Sequence, residues 1–66
     1  MTLTINGATT ELQDGATVAQ LLEKDNHKEY RVAVLVNDNV VKAERRESHV
    51  LQDGDRVEIF VFAGGG

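Results

Sequence analysis

Sixty-six residues without a single cysteine must hold themselves together with one small apolar core. A chain of this length buries only about 60% of the surface its unfolded form exposes. Neither a disulfide nor a thiolate metal site can make up the shortfall. Tight packing has to, and with 41% hydrophobic residues the chain has the material for one domain. The absence of proline and the single tyrosine fit a compact, sheet-rich domain with tight turns.

Read in order, the chain supplies the parts of such a domain. Leu3-Thr4-Ile5 alternates apolar and polar residues, the pattern of a half-buried strand. Asn6-Gly7 follows, and this pair suits a type I′ hairpin turn, which needs positive φ at both central positions. The returning strand is expected over residues 8–13, with Thr10 and Leu12 on one face. After Asp14-Gly15, Val18, Leu21 and Leu22 form an i, i+3, i+4 stripe that predicts one helix lying on a sheet. Thr17 is its expected N-cap, and Asp25-Asn26-His27 its expected end.

Val32-Ala33-Val34-Leu35-Val36 is a continuous β-branched run, expected to be an interior strand covered on both faces. Asn37-Asp38-Asn39 turns the chain and Val40-Val41 is a candidate short strand. Residues 42–48 read as a polar loop or one irregular turn, after which Val50-Leu51 re-enters the core. Asp53-Gly54-Asp55 is a tight turn. Arg56 to Phe62 is the last strand, with Val57, Ile59 and Val61 facing the helix. Glu58, Phe60 and Phe62 share the other face. The two phenylalanines are either covered by neighbouring loops or form an exposed apolar patch, the usual mark of a docking surface. Antiparallel pairings with one helix across one sheet face make a small α+β fold.

Charge excludes several functions. The net charge is −4, whereas nucleic-acid binding requires clustered Lys and Arg. Lys42, Arg45 and Arg46 come nearest to such a cluster, but Glu44 and Glu47 interleave with them, which reads as a solvated loop. An acidic surface suits docking onto a basic protein. The opening residues alternate and do not form a signal-like run, and no segment reaches the ~20 apolar residues of a membrane span. The expected location is therefore the cytoplasm. His27 and His49, the two histidines, fall on separate loops without a cysteine to assist them, so no metal site is expected. Asp53 and Asp55 have the spacing of a turn, not of a catalytic pair.

One segment stands above this background. The chain ends Ala63-Gly64-Gly65-Gly66, and three glycines at a terminus resist packing and favour a flexible arm. Four residues reach about 13 Å when extended, enough to enter a partner's active site through a narrow tunnel. The one reactive group on such an arm is the Gly66 carboxylate, ionised at neutral pH and a poor electrophile until activated, most plausibly by adenylation from ATP. The activated acyl carbon then accepts sulfide, giving a thiocarboxylate, or an amine, giving an isopeptide. This chain carries no phosphate-binding loop and no cysteine nucleophile, so the expectation is a substrate and carrier, not an enzyme. A disordered tail or an appended remnant is the plainer alternative, and the direct passage from Phe60-Val61-Phe62 into the glycines argues against it.

Over its whole length the chain resembles the ThiS family of sulfur carriers in thiamin biosynthesis, which are ubiquitin-like β-grasp proteins related to the MoaD carriers of molybdopterin synthesis. The resemblance rests on Thr17-Val18-Ala19-Gln20-Leu21-Leu22, on Val34-Leu35-Val36-Asn37, on the stretch from Gln52-Asp53-Gly54-Asp55 through Arg56-Val57-Glu58-Ile59-Phe60, and on the glycine end. It implies a mixed four- to five-stranded sheet with one main helix on one face, a β-grasp domain over 1–62 and a flexible tail over 63–66. It also implies no bound cofactor, with ATP consumed by a ThiF-type adenylating enzyme, and delivery of the sulfur to thiazole synthase. The reactive residue is then Gly66, or Gly65 if the third glycine is trimmed, since the family usually ends in Gly-Gly. Phe60, Phe62 and Glu58 are the expected docking residues. Arg46 stands where relatives often carry an aromatic residue. Alternatives are a carrier for cysteine, homocysteine, molybdopterin or transfer-RNA thiolation, a ubiquitin-like modifier, and a binding module that uses the sheet alone.

Overall fold

The computed structural model describes residues 1–24 and 31–62, so the expected helix end at Asp25-Asn26-His27 and the expected tail at 63–66 lie outside the described residues. Strands β1 (Thr2–Ile5) and β2 (Ala8–Glu11) form the first hairpin. Its turn has Asn6 at φ 50° and Gly7 at φ 85°, as the type I′ reading requires. β2 stops two residues short of the expected Gln13. Its partner has run out there: Leu12 N–H donates to the Met1 carbonyl at 3.0 Å, one residue before β1 begins.

The helix α1 (Val18–Lys24) starts at a reciprocal capping box. Gln20 N–H donates to Thr17 Oγ1 (3.2 Å) and Thr17 N–H donates to Gln20 Oε1 (2.9 Å). The remaining amides of the first turn are also taken. Val18 donates to the His49 carbonyl, Ala19 to that of Arg46 and Leu21 to that of Thr17. The helix start is thus fully satisfied by the chain itself and offers nothing to an anion.

β3 (Val32–Val36) and β4 (Asn39–Val41) form a second hairpin, closed by Asn37 and Asp38 at φ 51° and 72°. A 3-10 turn (Ala43–Arg45) follows, and β5 (Arg56–Val61) is the last strand, one residue shorter than the expected end at Phe62. The sheet order is β2-β1-β5-β3-β4, five strands with the last one inserted between the two hairpins. β5 pairs antiparallel with β3 and parallel with β1, so the sheet is mixed. This is the ubiquitin-like β-grasp arrangement, α+β as expected.

One face of the sheet carries the core. Val18, Leu21 and Leu22 of α1 pack with Leu3, Ile5, Val34, Val57 and Ile59, and Leu51 joins them from the loop before β5. Three expectations are corrected, the first of them on the second face, which the described residues leave open. β3 is interior, but Ala33 and Leu35 on its second face are only half-buried. Val61 shares the core-facing register of Val57 and Ile59 and pairs with the buried Val32, yet as the last residue of β5 it stays 62% exposed. Val50 also does not enter the core. It lies in an extended segment bridging Thr17, so alternation turns it outward while Leu51 turns in.

A fourth correction concerns Arg46, expected in a solvated loop. It is 4% exposed, and its Nη2 donates to the Val32 carbonyl at 2.7 Å. The 3-10 turn brings this about: successive i to i+3 bonds, from Arg45 N–H to Lys42 and from Arg46 N–H to Ala43, give a period of three. That period puts Arg46 on the inward side, opposite to the charged neighbours on which the sequence reading relied.

Candidate functional site

The strand that leads into the glycines is the central one. β5 is flanked by β1 on one side and β3 on the other, and Phe62 N–H donates to the Arg31 carbonyl at 2.8 Å, so the chain is held in the sheet through residue 62. Gly64, Gly65 and Gly66, the expected reactive arm, lie outside the described residues.

Hydrogen bonds from outside the regular ladder fix β5 lengthwise. The parallel register with β1 spans Thr4 with Arg56 and Ile5 with Val57. Asn6 extends it. Its N–H donates to the Val57 carbonyl at 2.9 Å, its Oδ1 accepts from Ile59 N–H at 2.8 Å, and its Nδ2 donates to the Ile59 carbonyl at 3.3 Å. A side-chain amide here takes the place of a backbone rung, so the turn residue of the first hairpin also anchors the last strand. At the other end Arg56 N–H donates to Asn37 Oδ1, and the Arg56 guanidinium pairs with Asp38. The hydrogen bond and charge of Asp38 raise the Arg56 pKa above its ordinary value, and Glu58 adds to the effect.

The face of β5 turned away from the helix carries Glu58, half-buried, then Phe60 and Phe62, which are 53% and 56% exposed. Of the two readings open from the sequence, covered flank or exposed patch, the second describes the molecule. The patch is larger than the sequence reading held. Phe60 pairs with Ala33, Glu58 with Leu35, and Leu35 in turn with Val40, which is 68% exposed. Strand register carries this information, and only the alternation within 32–36 could have signalled it. Reading that run as buried on both faces concealed it.

The other candidates resolve as structure. Asp53 accepts from Thr2 N–H at 2.7 Å; Asp55 accepts from Gln52 N–H at 2.8 Å and from Asn37 Nδ2 at 2.9 Å. Both carboxylates hold the loop before β5 and lie over no reacting centre. His49 is half-buried beside the 3-10 turn, and His27 lies outside the described residues. Among the described residues no helix is long and apolar enough to cross a membrane.

Comparison with known proteins agrees with the architecture. The model of the ThiS family matches residues 3–66. The chain is 33% identical over 66 residues to the sulfur carrier protein ThiS of Escherichia coli (strain K12), covering 98% of this chain and all of that protein. It superimposes on the crystal structure of the thiamine biosynthesis protein ThiS from Geobacter metallireducens with a TM-score of 0.85, at 32% identity and full coverage of both chains. The solution structure of a thiamine biosynthesis protein from the same organism gives a TM-score of 0.80 at 33% identity, covering 100% of this chain and 88% of that one.

Proposed function

The chain belongs to the ThiS family, and on that premise we propose that it is a sulfur carrier of thiamin biosynthesis whose C-terminal glycine bears the sulfur. The single observation that carries this reading is the reach of the family match to residue 66, so that it includes the glycine end as well as the folded domain.

The chemistry takes place on Gly66, or on Gly65 if the last residue is trimmed. A carboxylate oxygen attacks the α-phosphorus of ATP in a ThiF-type adenylating enzyme, and pyrophosphate leaves. The acyl carbon of the adenylate is then attacked by sulfide, and AMP leaves with the bonding pair. The product is a thiocarboxylate, whose sulfur passes to thiazole synthase. The chain itself supplies no catalytic side chain and binds no cofactor; it is the substrate of one enzyme and the donor to another, in the cytoplasm. The exposed Phe60 and Phe62 with Glu58 dock the domain so that the arm enters the partner's site.

Mass spectrometry of the chain co-expressed with its adenylating enzyme tests this. One terminal oxygen is replaced by sulfur; a terminus left unmodified by a competent enzyme refutes the proposal. ATP–pyrophosphate exchange with chains ending at Gly65 and at Gly66 identifies the reactive glycine.

A further inference from the structure

The period of three in the segment after β4 sorts its charges. Ser48 N–H donates to the Arg45 carbonyl at 3.1 Å, continuing the bonds that begin at Lys42. Arg45 and Ser48, three apart, share one side of the turn, and Lys42, which precedes it in an extended conformation, lines the same groove as both. Glu44 and Glu47 stay out of that groove, and Arg46 turns into the core. In sequence the bases and acids interleave; in space they separate.

The basic side borders an open groove of about 430 Å³ along the outer edge of β4, lined by Val40, Lys42, Arg45, Ser48 and His49 but by neither glutamate. Lys42 and Arg45 are exposed. The ion pairs among the described residues join Met1 to Asp14 and Arg56 to Asp38, and neither cation takes part in them. In a chain of net charge −4, this is a local inversion of sign.

β4 is an edge strand. Its hairpin closes through the two-residue turn Asn37-Asp38, so the flanking pair Val36–Asn39 is the hydrogen-bonded kind and so is Val34–Val41. Leu35–Val40 is then the pair whose backbone groups point apart. The Val40 N–H and C=O face outward into the groove, ready to pair with another strand. An apolar side chain, two outward backbone groups and two uncompensated cations stand within one groove.

We propose that this groove at the β4 edge is a second docking site, adjoining the Phe60–Phe62 patch at Val40, and that it takes an extended acidic segment of a partner protein. The segment adds to the sheet at Val40, and its carboxylates meet Lys42 and Arg45. β4 is three residues long, about 10 Å, so the recognised segment is of similar length.

The test uses the full chain, isotopically labelled, titrated with a hexapeptide alternating valine and glutamate. Amide resonances of Val40, Lys42, Arg45 and His49 shift, and exchange at the Val40 amide slows. The double variant Lys42→Gln, Arg45→Gln stays folded and weakens binding about tenfold, and added salt weakens it in the parent. The titration uses the unmodified chain and no adenylating enzyme, which separates failure here from failure of the sulfur-carrier reading. The proposal is overturned if no resonance shifts at millimolar peptide, or if the shifts map to Phe60 and Phe62. It is equally overturned if a valine–lysine peptide binds as well or the double variant binds undiminished. Displacement of the peptide by a short oligonucleotide of higher affinity would assign the groove to phosphate, and groove shifts that depend on protein concentration alone would assign it to a second copy of the chain; either overturns the acidic-segment reading.

Discussion

Replacing Phe60 with aspartate separates a docking residue from a core residue, and its size can be worked from the structure. Phe60 is 53% exposed. A phenylalanine side chain offers roughly 200 Å², so about 100 Å² remains for a partner to cover. At ~25 cal/mol per Å² that area is worth about 2.5 kcal/mol, an upper bound of roughly 70-fold in affinity. The other half of the ring is already covered within the domain. Its loss costs about 1.5–2 kcal/mol once the compactness of the unfolded chain is discounted. A domain of this length holds roughly 3–10 kcal/mol, so the variant folds, with Tm lowered by about 10 °C.

The assay is ATP–pyrophosphate exchange by the adenylating enzyme, run well below the variant's Tm, with the carrier as varied substrate. KM for the carrier rises at least about tenfold, because the interface is lost, while kcat changes little, because the arm and its carboxylate are intact. Thr9→Asp, on the exposed edge strand β2, serves as the control and leaves KM unchanged. If folded Phe60→Asp keeps the parent KM within about twofold, the docking reasoning is refuted. If the variant shows no cooperative melting transition, Phe60 belongs to the core and the exposed-patch assignment fails.

Four further outcomes follow from the same structure. Thr17→Ala removes one half of the reciprocal cap and costs about 1 kcal/mol in urea or thermal unfolding. Gly7→Ala meets no atom within 4 Å of the added Cβ, so its cost is torsional alone, about 1 kcal/mol from holding alanine at φ 85°. Arg46→Ala removes a buried, charge-assisted bond to the Val32 carbonyl and the packing of its stem, and destabilises by about 2–4 kcal/mol, measured by chemical denaturation. A chain lacking Gly65 and Gly66 melts like the parent and supports no pyrophosphate exchange; full exchange by that chain would refute the assignment of the reaction to Gly65 or Gly66.

Where one physical signal dominated locally, the fold was legible in the sequence. Asn6-Gly7 marked a turn because few other pairs accept two positive φ angles. Val18, Leu21 and Leu22 marked the helix because a stripe of period 3.6 suits little else. What could not be read was pairing. That β5 would insert between the hairpins and run parallel to β1 depends on contacts more than fifty residues apart, such as Asn6 with Ile59. The same blindness hid the extent of the open face, since Leu35 and Val40 join Phe60 only through register.

The segment 42–48 shows the limit most clearly. Read one residue at a time, Lys42, Glu44, Arg45, Arg46 and Glu47 are five charges and imply solvent. A helix of period 3.6 or a strand of period two would each distribute them differently, and the sequence carries no apolar stripe to choose between the two. The backbone settles on a period of three because Arg45 and Arg46 bond back to Lys42 and Ala43, while the Arg46 and His49 carbonyls accept from the first helical amides. The helix start thus needs this turn in place, and the turn needs Arg46 inward. With Arg46 in the core, Arg45 falls on the outer side, where Lys42 joins it in the groove. The segment that satisfies the first amides of α1 thus also holds a buried guanidinium and lines the basic groove beside β4.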